Sequence, residues 1–284
     1  MDNNINASAV STGGRSMQIN KNEINGSFDF VDSHAHYYDE AFDSDRYDLL
    51  QRINGAGVKA ILNCGEDYIS SYKCIALAKR FGFCYAAAGV HPHEAAKCGV
   101  GWLEEIASLM SHPKVIAIGE IGLDYHYDFS PRAKQIEVFE KQLRLSKELD
   151  MPVIIHDREA HGDTMNLLRK YRPKGVVHCF SGSVETMRET AALGMYVGLG
   201  GAVTFKNAKI PVEVARELPL DRLLLETDAP YMSPVPYRGK RCDSLMIAET
   251  AKKISEIKSV PIEEIYRTTT ENFERLFAVK VKPD

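Results

Sequence analysis

Residues 114–157, KVIAIGEIGLDYHYDFSPRAKQIEVFEKQLRLSKELDMPVIIHD, predict a strand, a helix and a second strand in succession. The two apolar ends of this stretch, 114–124 and 151–157, lack the two-residue alternation of a half-exposed strand, which indicates parallel strands buried on both faces. Between them, residues 130–150 place apolar side chains at helical spacing, with Ser130 as the expected N-cap and Pro131 at the first helical position. The stretch is therefore typical of an α/β protein.

The same alternation of strand and helix extends over the rest of the chain. The remaining apolar runs are FDFVDSH (28–34), VKAILNCG (58–65), FCYAAAGVHP (83–92), KGVVHCF (174–180), GMYVGLGG (194–201) and DRLLLETDAP (221–230). Eight strands that alternate with helices favour a single-domain TIM-like (β/α)8 barrel over an open doubly wound sheet. No GxGxxG motif follows the first run, which weakens a dinucleotide-binding alternative.

Length and composition set the limits of the domain. A chain of 284 residues suits one barrel, which we expect over residues 27–284. The polar residues 1–26 lack the apolar segment of a secretory signal, and we expect a disordered leader or an artificial remnant of expression there. No apolar run reaches the roughly 18 residues that span a bilayer. We therefore expect a cytoplasmic protein that does not contact membranes, and nothing in the sequence indicates an obligate protein partner.

Charge and cysteine content narrow the class further. The net charge of −4 argues against a broad basic surface for nucleic acid, although a local basic patch remains compatible with it. The six cysteines are scattered without CxxC spacing, which favours free thiols over a metal or disulfide framework.

Potential metal ligands mark the ends of most predicted strands. The chain has only nine histidines, and many of them fall there together with acidic residues. The strand-end residues are His34, His36, His91, Glu120, His156, His178 and Asp228. Because the carboxyl ends of barrel strands meet at one face, these side chains are expected to lie together, where a divalent cation would offset the cost of burying them.

Each of these residues taken alone has a simpler explanation. A lone histidine such as His178 is more often a hydrogen-bonded structural residue than a ligand, and His-x-His also occurs by chance. His34 and His36 are stronger candidates because a two-residue step in a strand places both rings on one face. The whole set is difficult to explain without a metal, since clustered histidines and carboxylates are typical of metal sites.

Several longer motifs resemble those of the TatD family of metal-dependent deoxyribonucleases, within the amidohydrolase-like superfamily. They occur in the family's order between about residues 28 and 279. The motifs are DSHAH (32–36), GVHPHEA (89–95), GEIGLDYHYD (119–128), PVIIHDREAHGDT (152–164), VVHCFSGS (176–183), VGLGGAVTFKNA (197–208), LLLETDAPYMSP (223–234) and PYRGKR (236–241). The chain departs from the family after PYRGKR, where Cys242, Asp243 and Ser244 replace an Asn-Glu-Pro-like stretch; this loop is expected to border the mouth and to affect substrate preference.

The resemblance implies a site with two divalent metal ions, Mg²⁺, Mn²⁺ or Zn²⁺. His34, His36 and Asp228 resemble the ligands of one ion, and His156 and His178 resemble those of the other. Glu120 resembles the carboxylate that bridges them. Two such ions can clamp the attacking and leaving oxygens of an in-line displacement. Glu120 and Asp228 are then the expected catalytic residues, with Asp228 as the general base.

The resemblance further implies a 3′-to-5′ exonuclease that acts on single-stranded DNA or frayed ends. Residues expected behind the ligands or at the substrate are Glu226, His91, Tyr125, Arg158, Arg238, Lys240 and Arg241. Two alternatives remain open: an ester or amide hydrolase, including a D-aminoacyl-tRNA deacylase, that uses the same metal site, and a metal-binding protein without catalysis. The filled ligand positions weaken the second alternative, but they do not separate the two enzymes.

Overall fold

A computed structural model of the protein describes residues 29–281. The expected leader, residues 1–26, lies outside this range. The strands are β1 (Phe30–Ala35), β2 (Val58–Cys64), β3 (Cys84–Ala88), β4 (Val115–Asp124), β5 (Val153–Arg158), β6 (Gly175–Val177), β7 (Tyr196–Leu199) and β8 (Leu223–Leu225). The helices are α1 (Arg46–Gly55), α2 (Tyr68–Arg80), α3 (Trp102–Leu109), α4 (Arg132–Leu149), α5 (His161–Tyr171), α6 (Val184–Ala192), α7 (Lys209–Glu217), α8 (Ile247–Lys258) and α9 (Ile262–Phe277).

The strands form one parallel sheet in chain order, from β1 to β8. The sheet closes on itself beyond the end of β8: the Asp228 amide donates to the carbonyl of His34 at 3.0 Å, and the His36 amide donates to that of Ala229 at 2.7 Å. An isolated parallel bridge joins Ala35 to Ala229 at the same place. The predicted single-domain (β/α)8 barrel is therefore confirmed, and its closure brings β1 beside the segment that carries Asp228.

The eight apolar runs of the sequence each overlap one strand, but several strands are shorter than their runs. His178 follows β6 directly, and Asp228 lies three residues after β8. β4 is longer than the other strands and continues past Glu120 to Asp124. The candidate ligands thus stand partly on strands and partly on the loops that leave them.

The predicted start of α4 was wrong by one position. Pro131 is the residue that precedes the helix, not Ser130. The Ser130 hydroxyl instead donates to the carbonyl of His93 at 2.9 Å and accepts from the amide of Ala96 at 2.9 Å. A tertiary contact therefore uses the side chain that the local sequence pattern assigned to a helix cap.

Residues 29–281 contain no helix that is both long and apolar enough to cross a membrane. Most of the buried apolar side chains belong to one continuous core between the strands and the surrounding helices, which includes Phe42, Ile118, Phe139 and Leu225. This packing holds the strand ends at fixed relative positions.

Gly122 lies on β4 against the backbone of His156 on β5. Its φ is +149°, and a Cβ atom at this position would lie 1.9 Å from the carbonyl oxygen of His156. A side chain therefore cannot enter without displacing the backbone that carries His156.

We expect Gly122→Ala to lower the free energy of unfolding by about 1–3 kcal/mol or more, because it adds an overpacking cost to an unfavourable backbone conformation. Urea unfolding followed by circular dichroism measures the change. Gly99→Ala is the matched control, since no atom lies within 4 Å of its added Cβ. Equal stability of the two variants would contradict this account of the β4–β5 contact.

Candidate metal centre

The strand-end histidines and carboxylates converge at one end of the barrel. The imidazole Nε2 atoms of His34 and His36 lie 3.0 Å apart. The rings of His34 and His178 are stacked with centroids 3.7 Å apart, and the Nε2 of His178 lies 3.4 Å from the Nδ1 of His156. Side chains from β1, β5 and the end of β6 therefore meet although up to 144 residues separate them in the chain.

Glu120 lies at the centre of this group, and its two carboxylate oxygens face different histidines. Oε2 lies 3.2 Å from the Nε2 of His34 and 3.6 Å from that of His36. Oε1 lies 2.7 Å from the Nε2 of His178 and 2.8 Å from the Nδ1 of His156. The same Oε1 lies 3.5 Å from the Nε2 of His91. One carboxylate thus connects two sets of imidazoles.

Asp228 approaches the first of these sets from the side of β8. Its Oδ1 lies 3.3 Å from the Nε2 of His36 and 3.7 Å from that of His34. The Asp228 side chain is 18% exposed, whereas that of Glu120 is 3% exposed. Of the two carboxylates, Asp228 is therefore the one that solvent or a substrate can reach.

Charge is distributed unevenly among the histidines. Burial lowers the pKa of His34 to about 4, and the neighbouring His178 adds to this effect. Burial also disfavours the charged form of His36, but Asp228 and Glu120 overcome it and raise the pKa to about 10. Burial by itself would raise the pKa of Glu120, but the surrounding imidazoles hold it well below its usual value. Glu120 is therefore an ionised acceptor in a ring of nitrogen donors.

This donor set fits a divalent cation. Three overlapping groups each bring their ligand atoms within 4.8 Å of one another: His34, His36 and Glu120; His34, His178 and Asp228; and His91, Glu120 and His156. Imidazole nitrogens together with carboxylate oxygens suit Zn, Mn, Fe or Ni. The Nε2 atoms of His34, His36 and His178 all point toward Glu120, as ligands around a shared centre would.

The structure adds residues behind the ligands that sequence reasoning missed. Asp124 places its Oδ2 3.0 Å from the Nε2 of His156 and 3.0 Å from the Nε2 of His93. Carboxylates in this position orient a ligand histidine and fix its tautomer. A signal was present in the sequence, because Glu120, Gly122 and Asp124 follow the two-residue period that places them on one face of β4.

Asp32 is a second missed residue; it belongs to β1, and its side chain is fully buried. It accepts hydrogen bonds from the hydroxyl of Thr227 at 2.6 Å, from the hydroxyl of Ser244 at 2.6 Å and from the amide of His34 at 3.2 Å. These bonds tie the strand that carries His34 to the segment that carries Asp228. Ser244 belongs to the stretch that departs from the family pattern, so part of this departure lies under the metal-binding residues instead of on the rim.

Glu226 and His91 lie where the sequence placed them, beside the ligands. An oxygen of Glu226 accepts a hydrogen bond from the amide of Cys179 and lies 4.0 Å from the Nδ1 of His178. Burial raises the pKa of Glu226 to about 8. His91 faces Glu120 directly, and its Nδ1 accepts from the amide of His93 at 3.2 Å. Both residues are buried, which favours contact with the candidate ligands over contact with a distant substrate group.

Three of the basic side chains expected at the substrate, Arg158, Arg238 and Lys240, are exposed. Arg158 is exposed, with its guanidinium 4.8 Å from the ring centre of Tyr127. Arg238 is exposed and covers the ring of Phe205 at 3.9 Å, while Lys240 lies 5.7 Å from the ring centre of Tyr237.

Two predicted substrate residues have other partners. Arg241 makes a two-pronged ion pair with Asp45, with both contacts at 2.7 Å, and also donates to the carbonyl of Ala41. The Tyr125 hydroxyl donates to Asp163 at 2.7 Å, and Arg132 covers the Tyr125 ring. This geometry favours structural roles for Arg241 and Tyr125 over contact with a substrate.

Comparison with known proteins identifies the family. The family described as TatD related DNase matches residues 31–278. YabD of Bacillus subtilis, an uncharacterised metal-dependent hydrolase, is 42% identical over 87% of this chain and 98% of its own. The 3′-5′ ssDNA/RNA exonuclease TatD of Cronobacter sakazakii is 35% identical over 85% of this chain and 95% of its own.

A solved structure agrees with this assignment. The TatD homologue YjjV of Escherichia coli K12 superimposes with a TM-score of 0.84 at 34% identity and covers 88% of this chain and 98% of its own. At this TM-score the two chains share the barrel architecture. The chain therefore belongs to the TatD family of metal-dependent hydrolases.

Proposed function

We propose that this protein is a 3′-to-5′ exonuclease that hydrolyses phosphodiester bonds of single-stranded DNA or frayed ends with two divalent cations. The observation that supports this most directly is the position of Glu120, whose two oxygens face two separate sets of histidines. A carboxylate in this arrangement suits a bridge between two ions. We assign His34, His36 and Asp228 to one ion, His156 and His178 to the other, and Glu120 to both.

Each group at the centre has a separate role in the proposed hydrolysis. The bound cations would supply Lewis-acid stabilisation of the phosphate oxygens and an activated water. Asp228 would accept the proton of this water at its partly exposed carboxylate. Burial by itself raises the pKa of Asp228, but His36 and the other imidazoles outweigh it and keep the carboxylate ionised. Glu120 and the histidines hold the site rigid, while Asp124 orients His156 from behind.

A nucleic-acid substrate is supported by the relatives and by the rim. Relatives at 34–35% identity carry the name 3′-5′ ssDNA/RNA exonuclease. Arg158 and Arg238 are exposed at loops that leave the strands, where they can contact phosphates. We also propose that the protein acts in the cytoplasm, where such a substrate is accessible.

The competing candidate is an ester or amide hydrolase such as a D-aminoacyl-tRNA deacylase. It would use the same cations and the same base, so the ligand geometry does not separate the two. The exposed arginines and aromatic rings near the mouth favour a nucleic-acid substrate in either case. Only the nuclease cleaves the nucleic-acid strand itself.

The test compares both substrates under defined metals. Protein purified without chelator, and the same protein stripped and reloaded with Mg²⁺, Mn²⁺ or Zn²⁺, is incubated with 5′-labelled single-stranded DNA and, separately, with D-aminoacyl-tRNA. We expect stepwise shortening of the DNA from its 3′ end, loss of this activity on chelation and recovery on metal addition. The labelled strand blocked at its 3′ end is the control and should resist. Deacylation without release of nucleotides under any metal would refute the nuclease assignment.

A further inference from the structure

Two exposed aromatic side chains lie together on the loop that leaves β4. Tyr127 is 47% exposed and Phe129 is 66% exposed. Their rings are stacked, with centroids 5.2 Å apart and an angle of 22° between the planes. Large apolar rings in such a position expose surface that is normally buried, and a pair of them indicates a binding surface. We call Tyr127 and Phe129 the aromatic platform.

The loop that carries the aromatic platform is held in place by hydrogen bonds. The Oδ1 of Asp124 accepts from the amide of Tyr127 at 2.8 Å and from that of His126 at 3.0 Å. At the other side of Tyr127, Asp128 is ion-paired with Arg132 on α4 at 2.7 Å. The rings are therefore presented by a fixed backbone, which lowers the entropy cost of binding.

The aromatic platform is adjacent to the metal centre. The His93 ring lies edge-on to both rings, with centroids 5.5 Å from Tyr127 and 4.8 Å from Phe129. The same His93 contacts Asp124, which in turn contacts the proposed metal ligand His156. The His93 ring therefore lies between the aromatic platform and the proposed ligand His156, whose ring centroid is 6.2 Å from that of His93.

The positively charged side chain of Arg158 lies beside the aromatic platform. The Arg158 guanidinium lies 4.8 Å from the ring centre of Tyr127, and β5 ends at this residue, two positions after His156. No carboxylate among residues 29–281 forms an ion pair with Arg158, so its charge is available for an incoming anion. An exposed aromatic pair beside an available guanidinium matches the two chemistries of a single-stranded nucleotide, a flat base and a phosphate.

We propose that the aromatic platform stacks an unpaired nucleobase next to the phosphodiester under attack, while Arg158 contacts its backbone. This rests on the proposed nuclease function and names the part of the chain that would select unpaired ends. A stacked base is accessible only when it has left its duplex, so the aromatic platform gives a physical reason for a preference for single strands.

A protein partner fits the surface less well. A specific protein interface buries about 800 Å² on each side, far more than two half-exposed rings offer. A single base covers one or two aromatic rings, which is the area available here.

Equilibrium binding tests the aromatic platform without relying on turnover. The probe is a 5′-fluorescein ten-nucleotide single-stranded DNA, measured by anisotropy on ice with Ca²⁺ as the only divalent cation. We expect Tyr127→Ala and Phe129→Ala each to raise Kd about 5- to 100-fold, the range of one base–aromatic stack. Tyr127→Phe and Phe129→Trp should bind like the wild type. Tyr72→Ala, at a 57% exposed tyrosine on α2, is the matched control and should have no effect.

A set of DNAs, each without the base at one of its four 3′-terminal positions, locates the stacked base. The wild type should bind one of these strands more weakly than the intact strand. On that strand the Kd of Phe129→Ala should equal the Kd of the wild type, because the base that would contact Phe129 is already absent. The proposal would be overturned if Tyr127→Ala and Phe129→Ala left Kd unchanged, or if the wild type did not bind DNA. It would also be overturned if Phe129→Ala raised Kd by the same factor on every strand of the set.

The two proposals fail separately. If the wild type binds DNA through the aromatic platform but releases no nucleotides with Mg²⁺, Mn²⁺ or Zn²⁺, the nuclease assignment falls and the binding site stands. If the wild type shortens DNA but Tyr127→Ala and Phe129→Ala retain its Kd, the proposed binding site falls and the nuclease assignment stands.

Discussion

Replacement of Glu120 by alanine is expected to abolish turnover, with a fall in kcat of at least about 10³-fold. Removing a residue that only orients a metal ligand typically lowers activity or metal affinity 10- to 100-fold. Glu120 contacts both sets of histidines directly, so its removal should cost more. Bound metal, measured by elemental analysis after gel filtration, should fall as well. Without this carboxylate, His34, His36, His156 and His178 lose the negative charge that stabilises cations between them.

Two further variants make the Glu120 result specific. Glu120→Gln retains the shape and one carbonyl oxygen, so we expect an intermediate metal content with turnover still lost. Glu148→Gln removes an exposed carboxylate from α4 and should behave like the wild type. Full metal content in Glu120→Ala would contradict its assignment as the bridge.

Asp228→Asn is expected to lower kcat by about 10²- to 10⁴-fold, the usual contribution of a positioned general base. Asparagine retains the shape and an oxygen near His36, so the fold and much of the metal binding should survive. What it removes is the ability to accept a proton. Single-turnover assays with saturating DNA separate this loss of chemistry from any change in binding.

A matched control exists on the same part of the chain. Asp221→Asn changes an exposed aspartate just before β8, at the opposite end of the strand from Asp228, and should leave kcat unchanged. An Asp228→Asn enzyme with near wild-type kcat would refute the role of Asp228 as the base and shift attention to another acceptor near the ions.

Much of the fold was predictable because its signals are local. Each apolar run overlaps a strand, and the stretch 130–150 contains α4, since buried parallel strands and amphipathic helices each have a characteristic residue pattern. The error at Ser130 shows the limit: its hydroxyl could serve a helix end or a tertiary contact, and only the position of residues 93–96 decided between them.

The candidate site was predictable in composition but not in arrangement. The strand-end rule gathered His34, His36, Glu120, His156, His178 and Asp228 correctly in one place, although their roles as ligands and base stay predictions. It missed Asp32 and Asp124 because a buried carboxylate is recognised by its partners, and those partners are up to 212 residues away. It also included Arg241, whose partner Asp45 belongs to a distant part of the chain.

The sequence by itself thus determined the barrel, the family motifs and the kinds of ligand atom at the strand ends. These depend on residue type and short-range periodicity, which the printed chain contains in full. Only the tertiary structure decided that one oxygen of Glu120 faces His34 and His36 while the other faces His156 and His178. The physical reason is that these distances depend on how β1, β4, β5 and the loops after β6 and β8 pack when the barrel closes, and no local pattern encodes that closure.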